Sequence, residues 1–253
     1  MGEKFIAKHT TASLGALIAD KRRAVVALVP IGSTEPHGPH LGLGTDVIIS
    51  AAACVKACEM IDKKGALTAV IAPAVPYGVT DCAEGFVGAV TVPAAVLTAY
   101  LAAVCDGLLV QGIRHVCLVN NHLEPAQDAA VRAVLPTREK RVSYACPLTK
   151  KWARTLSAEF KSGACHAGQY ETSIVMAAAP ELVDDAVRQR LPPLSISLSE
   201  QLGAGVMTFA AMGMADAYTG APAKASVEEG AQLIARLADM VVGEVREAFG
   251  LPV

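Results

Sequence analysis

Aromatic side chains make up only 4% of this 253-residue sequence, with a single tryptophan, Trp152. A site that clamps a flat ligand between several aromatic faces is therefore poorly provided for. Charge is also sparse. Charged residues account for 18%, the formal net charge is −2 and the pI is near 6.3. No basic stripe stands out, which argues against a nucleic acid partner. Long hydrophobic runs are missing too. Although 53% of residues are hydrophobic and mean hydropathy is +0.40, the apolar residues fall in short runs with breakers between them. The nearest approach to a membrane span, Val92 to Val104, runs into Asp106 and Gly107 and reads as a buried helix. No membrane association is expected. The seven cysteines (54, 58, 82, 105, 117, 146, 165) form an odd set with no CxxC pair. They read as buried free thiols in a reducing compartment, and not as disulfides or a thiolate metal site. The stretch Met1 to Lys8 is not followed by an apolar signal region, so a cytoplasmic location is expected. There is no G-x-S-x-G elbow and no cysteine with an evident partner, which speaks against a nucleophilic side chain.

The remaining pattern alternates apolar runs with helical periodicity. Strands are predicted over 24–29, 66–72, 115–119 and 141–146. Helices are predicted over 13–20, 46–61, 91–109 with Thr91 as N-cap, 126–134, 150–160 and 169–178. A last helix starts at Ser226, which forms a capping box with Glu229, and ends at Gly250. The stretch Leu182 to Met214 carries no clear element; it has the composition of a lid or plug. Strands alternating with helices of this length predict an α/β fold in one domain, residues 1–253, with a mostly parallel central sheet covered by helices on both faces. The high apolar fraction also suggests buried surface between subunits.

The longest connection lies between the strand ending at Val29 and the helix entered at Asp46, and it carries Glu35, His37, His40 and Asp46 among glycines and prolines. A connection of this type normally needs about two to six residues, so a long stiff loop with ligand-type side chains is a site candidate. After the third strand comes Asn120-Asn121-His122-Leu123-Glu124. Both segments follow strands, so a parallel sheet would bring them to the same edge. Glu35-x-His37 and His122-x-Glu124 are i, i+2 pairs that share a face when extended. With Asp46 they make a ligand set for two divalent ions with a bridging carboxylate, of a type that suits zinc, manganese or iron. A third cluster contains His166, Gln169 and Glu171. His166 and Glu171 would stand about 140° apart on a continuous helix, so His166 is expected on the approach to the helix and Glu171 inside it. On the residues alone, a capping histidine beside a solvated glutamate is an equal alternative.

The run Ile31 to Asp46 resembles the signature of the creatininase (creatinine amidohydrolase) family. Val119-Asn120-Asn121-His122 and His166-Ala167-Gly168 through Glu171-Thr172-Ser173 resemble that family's other two motifs, in order and at similar spacing. The resemblance implies a three-layer α/β/α fold and a binuclear metal site. It also implies hydrolysis of a C–N bond other than a peptide bond, as in a cyclic amide or lactam, and a homo-oligomer, with a hexamer favoured. Carried over by motif, Glu35, Asp46 and His122 would hold one ion. His37, Asp46 and Glu124 would hold the other. His166 would contact substrate and move a proton, with Glu171 and Glu124 as further acid/base candidates, and Leu123, Gln169 and Tyr77 are substrate-binding candidates. The chain departs from creatininase at Leu123, where the family enzyme has an aromatic residue, and at Ser162-Gly163, where it has a Trp-Asp pair. The expected activity is thus that of a metal-dependent amidohydrolase on a cyclic amide or lactam-type small molecule, with creatinine itself poorly provided for. A formamide deformylase of the same family and a non-catalytic metal-binding assembly subunit are the alternatives.

Overall fold

The computed structural model describes residues 2–63, 65–138 and 140–252. Four strands, β1 (Ala24–Ile31), β2 (Leu67–Ile71), β3 (His115–Asn120) and β4 (Val142–Ala145), form one parallel sheet in the order β2-β1-β3-β4. Ten helices accompany them among the described residues. The first seven are α1 (Thr11–Ala19), α2 (Thr45–Lys63), α3 (Ala94–Val110), α4 (Pro125–Arg132), α5 (Lys150–Ala153), α6 (Ala158–Ser162) and α7 (Gln169–Ala178). They are followed by α8 (Asp185–Arg188), α9 (Leu198–Gly203) and α10 (Val227–Ala248).

The unbroken apolar run of β1 makes sense because both faces of the sheet are covered. Val26 and Leu28 point into a core shared with α2, α7 and α10. Val25, Ala27, Val29 and Ile31 point into the opposite core, shared with α3 and α4. These are the three layers. On the first face α10 crosses α7 so closely that a Cβ at Gly230 would stand 1.8 Å from the Ser173 carbonyl oxygen, and only glycine permits that approach.

Several local expectations are corrected. The 91–109 helix begins at Ala94 with Pro93 as N-cap. The Thr91 hydroxyl instead accepts from the Thr80 amide at 3.0 Å and donates to Asp81 at 2.8 Å. That helix is not wholly buried. Leu97, Leu101, Cys105 and Leu109 face the core, while Val96 and Tyr100 on its outer side are more than half exposed. The single helix expected over 150–160 breaks into α5 and α6, because Ser157 turns out to cap a new start, accepting from the Phe160 amide at 3.2 Å. The Ser226/Glu229 capping box is half formed. Ser226 accepts from the Glu229 amide, but the Glu229 carboxylate reaches Gln169 Nε2 (2.7 Å) and Ser173 Oγ (3.0 Å) instead. The unassigned stretch after Leu182 contains α8 and α9. Its Phe209, Met212 and Met214 pack on Cys82 and Ala83 as a small separate core. All seven cysteines are free.

The sheet order fixes where a site can form. From β1 the chain crosses to β2 on one side and then returns to β3 on the other. The carboxyl ends of β1 and β3 therefore flank a topological switch point. Ile31 is directly in register with Asn120. Ser50 of α2 stitches the two exits together, donating to the Ile31 carbonyl (2.6 Å) and accepting from the Asn121 amide (3.1 Å) and side chain (3.0 Å).

Candidate metal centre

The loop leaving β1 folds back onto the first turn of α2. A Cβ at Gly32 would lie 2.7 Å from that of Asp46 and 2.6 Å from the Val47 amide nitrogen, so glycine at this position lets Asp46 reach the strand end. Asp46 sits at the helix N-terminus, where the helix dipole favours a negative charge. Its Oδ2 accepts from the Ser33 amide at 3.2 Å.

Around Asp46 the structure gathers Glu35, His37, His122, His166 and Glu171, none of them more than 6% exposed. His122 Nδ1 lies 3.0 Å from Asp46 Oδ2 and 3.3 Å from Glu35 Oε1. His37 Nε2 lies 3.2 Å from Asp46 Oδ1, 3.6 Å from Glu171 Oε2 and 3.8 Å from Glu35 Oε1. His166 Nδ1 is 3.8 Å from Glu35 Oε1. Three overlapping trios each offer ligand atoms within 4.8 Å of one another: Glu35/Asp46/His122, His37/Asp46/Glu171 and Glu35/His37/His166.

The second nitrogen of every ring is spoken for. His37 Nδ1 meets the Glu35 carbonyl at 3.1 Å, His122 Nε2 the Val79 carbonyl at 2.6 Å and His166 Nε2 the Pro36 carbonyl at 3.0 Å. A carbonyl only accepts, so each of these nitrogens carries a proton, and the lone pair of each neutral ring faces the cluster. Three buried carboxylates with no lysine or arginine among them take their balancing charge from protonated imidazoles or from a bound cation. The donor set fits divalent cations.

The protonation balance of the cluster agrees. Burial alone would lower the pKa of His37, but the carboxylates of Asp46, Glu171 and Glu35 overcome it and hold the ring at about 10. Burial likewise opposes a charge on His122, yet Glu35 and Asp46 raise it well above the usual range. Burial pushes Glu171 up to about 8 against the pull of His37. Metal-free protein at neutral pH thus carries protons on His37, His122 and Glu171 that a cation must displace. Metal affinity is therefore expected to rise with pH as these groups lose their protons. Calorimetric titration of metal-free protein in buffers of different ionisation enthalpy should show net proton release at pH 7. A pH-independent affinity with no release would contradict this charge state.

The structure departs from the expected ligand set at one residue. Glu171, not Glu124, completes the trio with His37 and Asp46. Glu124 is turned toward the Asp81–Ala83 turn, where its two carboxylate oxygens accept from the Asp81 and Cys82 amides at 3.1 Å each. Glu171 reaches the cluster because Ala167 adopts a left-handed φ of 51° between His166 and the helix. Its Oε2 then accepts from the Ala167 amide at 2.7 Å. His40 stands outside the cluster and binds Thr172 Oγ1 at 2.9 Å, tying the loop to α7.

A cavity of about 690 Å³ opens beside the cluster. Glu35, Asp46, His122, Glu124, His166 and Glu171 line its floor, and Leu123, Phe160, Leu198, Leu202 and Phe209 are among its apolar walls. Two of the substrate-binding expectations are corrected: Tyr77, 48% exposed, and Gln169, bound to Glu229, are both absent from the wall. Phe209 has a role that no motif announced. The His166 ring lies between it and His37, with centroids 4.4 Å away on either side. Thr80 was also missed; its hydroxyl donates to Glu35 Oε2.

A buried histidine–carboxylate cluster at the switch point of a parallel sheet places the chain among α/β proteins with a metal-type centre. The comparisons with known proteins narrow this. A family model described as creatinine amidohydrolase matches residues 9–245. The mycofactocin precursor peptide peptidase of Mycolicibacterium smegmatis is 30% identical over 214 residues, covering 84% of this chain and 81% of that one. The creatinine amidohydrolase of Pseudomonas putida is 25% identical over 178 residues, covering 63% and 66%. A creatininase crystal structure shares the fold with a TM-score of 0.71 at 21% identity over all of both chains. A structure described as creatininase Mn does so with a TM-score of 0.70 at 22% identity, covering 98% and 99%. The chain belongs to the creatininase family of metal-dependent amidohydrolases.

Proposed function

We propose that this chain hydrolyses an amide C–N bond at a binuclear metal centre, with Glu35, Asp46 and His122 holding one divalent ion and His37, Asp46 and Glu171 the other. The observation that carries the reading is the orientation of the three imidazoles: each is pinned by a backbone carbonyl so that its free nitrogen faces one set of buried carboxylates. Two such ions, zinc or manganese by ligand type with iron as a further candidate, would supply Lewis acidity and a water of lowered pKa.

The protein's own residues do the rest. In the metal-free protein burial and the neighbouring His37 cation lower His166 to about 4, and because its Nε2 donates to the Pro36 carbonyl its Nδ1 is the nitrogen open to take a proton. Its ring is fixed by Pro36, His37 and Phe209, and it hands that proton to the leaving nitrogen. Glu124 is raised by burial and is the second proton carrier on the floor. Leu123 contacts the substrate body.

The cavity of about 690 Å³ has room for more than one small ring, so the proposed substrate class includes linear amides and peptides beside the small cyclic amides. The similarity to a named peptide peptidase agrees with this. A deformylase would use the same floor. The open cavity disfavours a non-catalytic assembly role, since the segment after Leu182 walls the site without filling it. No described helix is long and apolar enough to cross a membrane. The exposed Tyr77, Val87, Val90, Val96 and Tyr100 suit a homo-oligomer.

Elemental mass spectrometry of purified protein tests the reading. About two metal equivalents per chain are expected, as a binuclear site requires. Chelation should abolish turnover of at least one member of a panel of N-formyl compounds, lactams and acylated dipeptides, and added zinc or manganese should restore it. Protein that takes up no metal, or whose turnover ignores the chelator, would end the proposal.

A further inference from the structure

The mouth of the cavity differs sharply in charge from its floor. Lys150, Arg154 and Lys161 all line the wall, and all three are exposed. Lys150 opens α5, Arg154 caps it one turn later and Lys161 lies on α6. The two short helices therefore bring three exposed cations to the wall of one cavity. Among the described residues, none of their side chains has an ion pair or hydrogen bond. Four acids nearby in sequence or space are engaged elsewhere, while Glu200 of α9 is exposed and pairs with none of the three. Glu159 turns inward and accepts from the Tyr170 (2.8 Å) and Ala221 (2.7 Å) amides. Glu124 is held by the amides of Asp81 and Cys82. Glu244 takes the Trp152 indole N–H at 2.7 Å. Glu247 pairs at 3.3 Å with Lys151, the one lysine of this segment that is absent from the cavity wall. Three like charges left without counterions around a cavity form an attractive field for an anion.

Between this rim and the floor lies apolar wall: Leu123, Leu148, Ala153, Leu198, Leu202 and Phe209. A ligand filling the space would have an amide at the floor, an apolar body and an anion at the mouth. We infer that Lys150, Arg154 and Lys161 are specificity-determining residues that bind a free carboxylate carried by the amide substrate. Arg154 offers the planar fork that suits a carboxylate. The segment shows no glycine-rich cradle of backbone amides such as a phosphate would call for. This inference rests on the amide-hydrolase reading of the same cavity. The carboxylate is either that of a single N-acylated amino acid or the terminus of a peptide.

The probes are N-acetyl-leucyl-phenylalanine and its C-terminal carboxamide, which share one apolar body, with N-acetyl-phenylalanine and its carboxamide as the shorter pair. Affinities are measured by calorimetry on the full-length, metal-loaded protein. The free acid of at least one pair should bind about tenfold tighter than its carboxamide, and the gap should shrink in roughly 1 M salt. The triple variant K150A/R154A/K161A should lose that gap while keeping carboxamide affinity and metal content. The single change Arg154→Glu should make the acid the weaker ligand. A preference confined to the longer pair assigns the peptide source, and one shared by both pairs assigns the single amino acid. No preference in the unmodified protein, or one that survives in the triple variant because the carboxylate sits at the metals, would overturn the rim. Rim-dependent binding without amide hydrolysis would sink the hydrolase reading alone. Hydrolysis without a charge preference would sink only the rim.

Discussion

Replacing Asp46 with alanine is expected to empty both metal positions at once. Its two carboxylate oxygens face different histidines, Oδ1 toward His37 and Oδ2 toward His122, so no other residue serves both trios in the same way. Loss of the carboxylate also leaves two imidazoles facing each other with less negative charge between them. Metal per chain, read by mass spectrometry, should fall close to zero, and turnover of any substrate found should fall by roughly a thousandfold or more, because the preorganised electrostatics are removed. The fold itself should survive, because the apolar cores on the two faces of the sheet do not include Asp46. Full metal content in a folded Asp46→Ala protein would refute the bridging assignment.

The second expected result separates the two glutamates. Glu171→Gln should cost one of the two metal equivalents, because Glu171 stands 3.6 Å from His37 Nε2 within a ligand trio. Glu124→Gln should retain both, since the Glu124 carboxylate is occupied by two backbone amides. It should instead lower the turnover rate by about 10²- to 10⁴-fold, as expected for a lost acid/base group. The reverse outcome, with metal lost from the Glu124 variant and kept in the Glu171 variant, would restore the ligand set that the family resemblance implies.

That pair of residues shows how far the sequence could be read. The four strands were legible because both cores demand unbroken apolar runs. The loop from Ser33 to Asp46 and the turn after Asn120 were legible because each follows a strand directly. Parallel register then made their meeting at one sheet edge a necessity, now seen as Ile31 opposite Asn120. Glu171 was harder. Its place depends on Ala167 adopting a left-handed conformation that alanine rarely takes, so helical spacing alone could not aim it. The break between α5 and α6 was hidden as well, since 150–160 has helix-compatible composition and Ser157 is an ordinary residue until it caps. Tyr77 and Gln169 could not be aimed from the sequence: Tyr77 lies in an irregular stretch, and Gln169 begins α7. Phe209 left no trace in any motif, because its partners His37 and His166 are distant in the chain.

The split of the ligands along the chain also bears on how the centre is assembled. Glu35, Asp46 and His122 all come from the half of the protein made first, held together by β1, β3 and the Ser50 bridge. Glu171 comes from α7, which packs against α2 and α10. In the proposed centre, undocking of α7 would remove a ligand from the His37/Asp46/Glu171 position alone, so the two ions should differ in their rates of exchange with the medium.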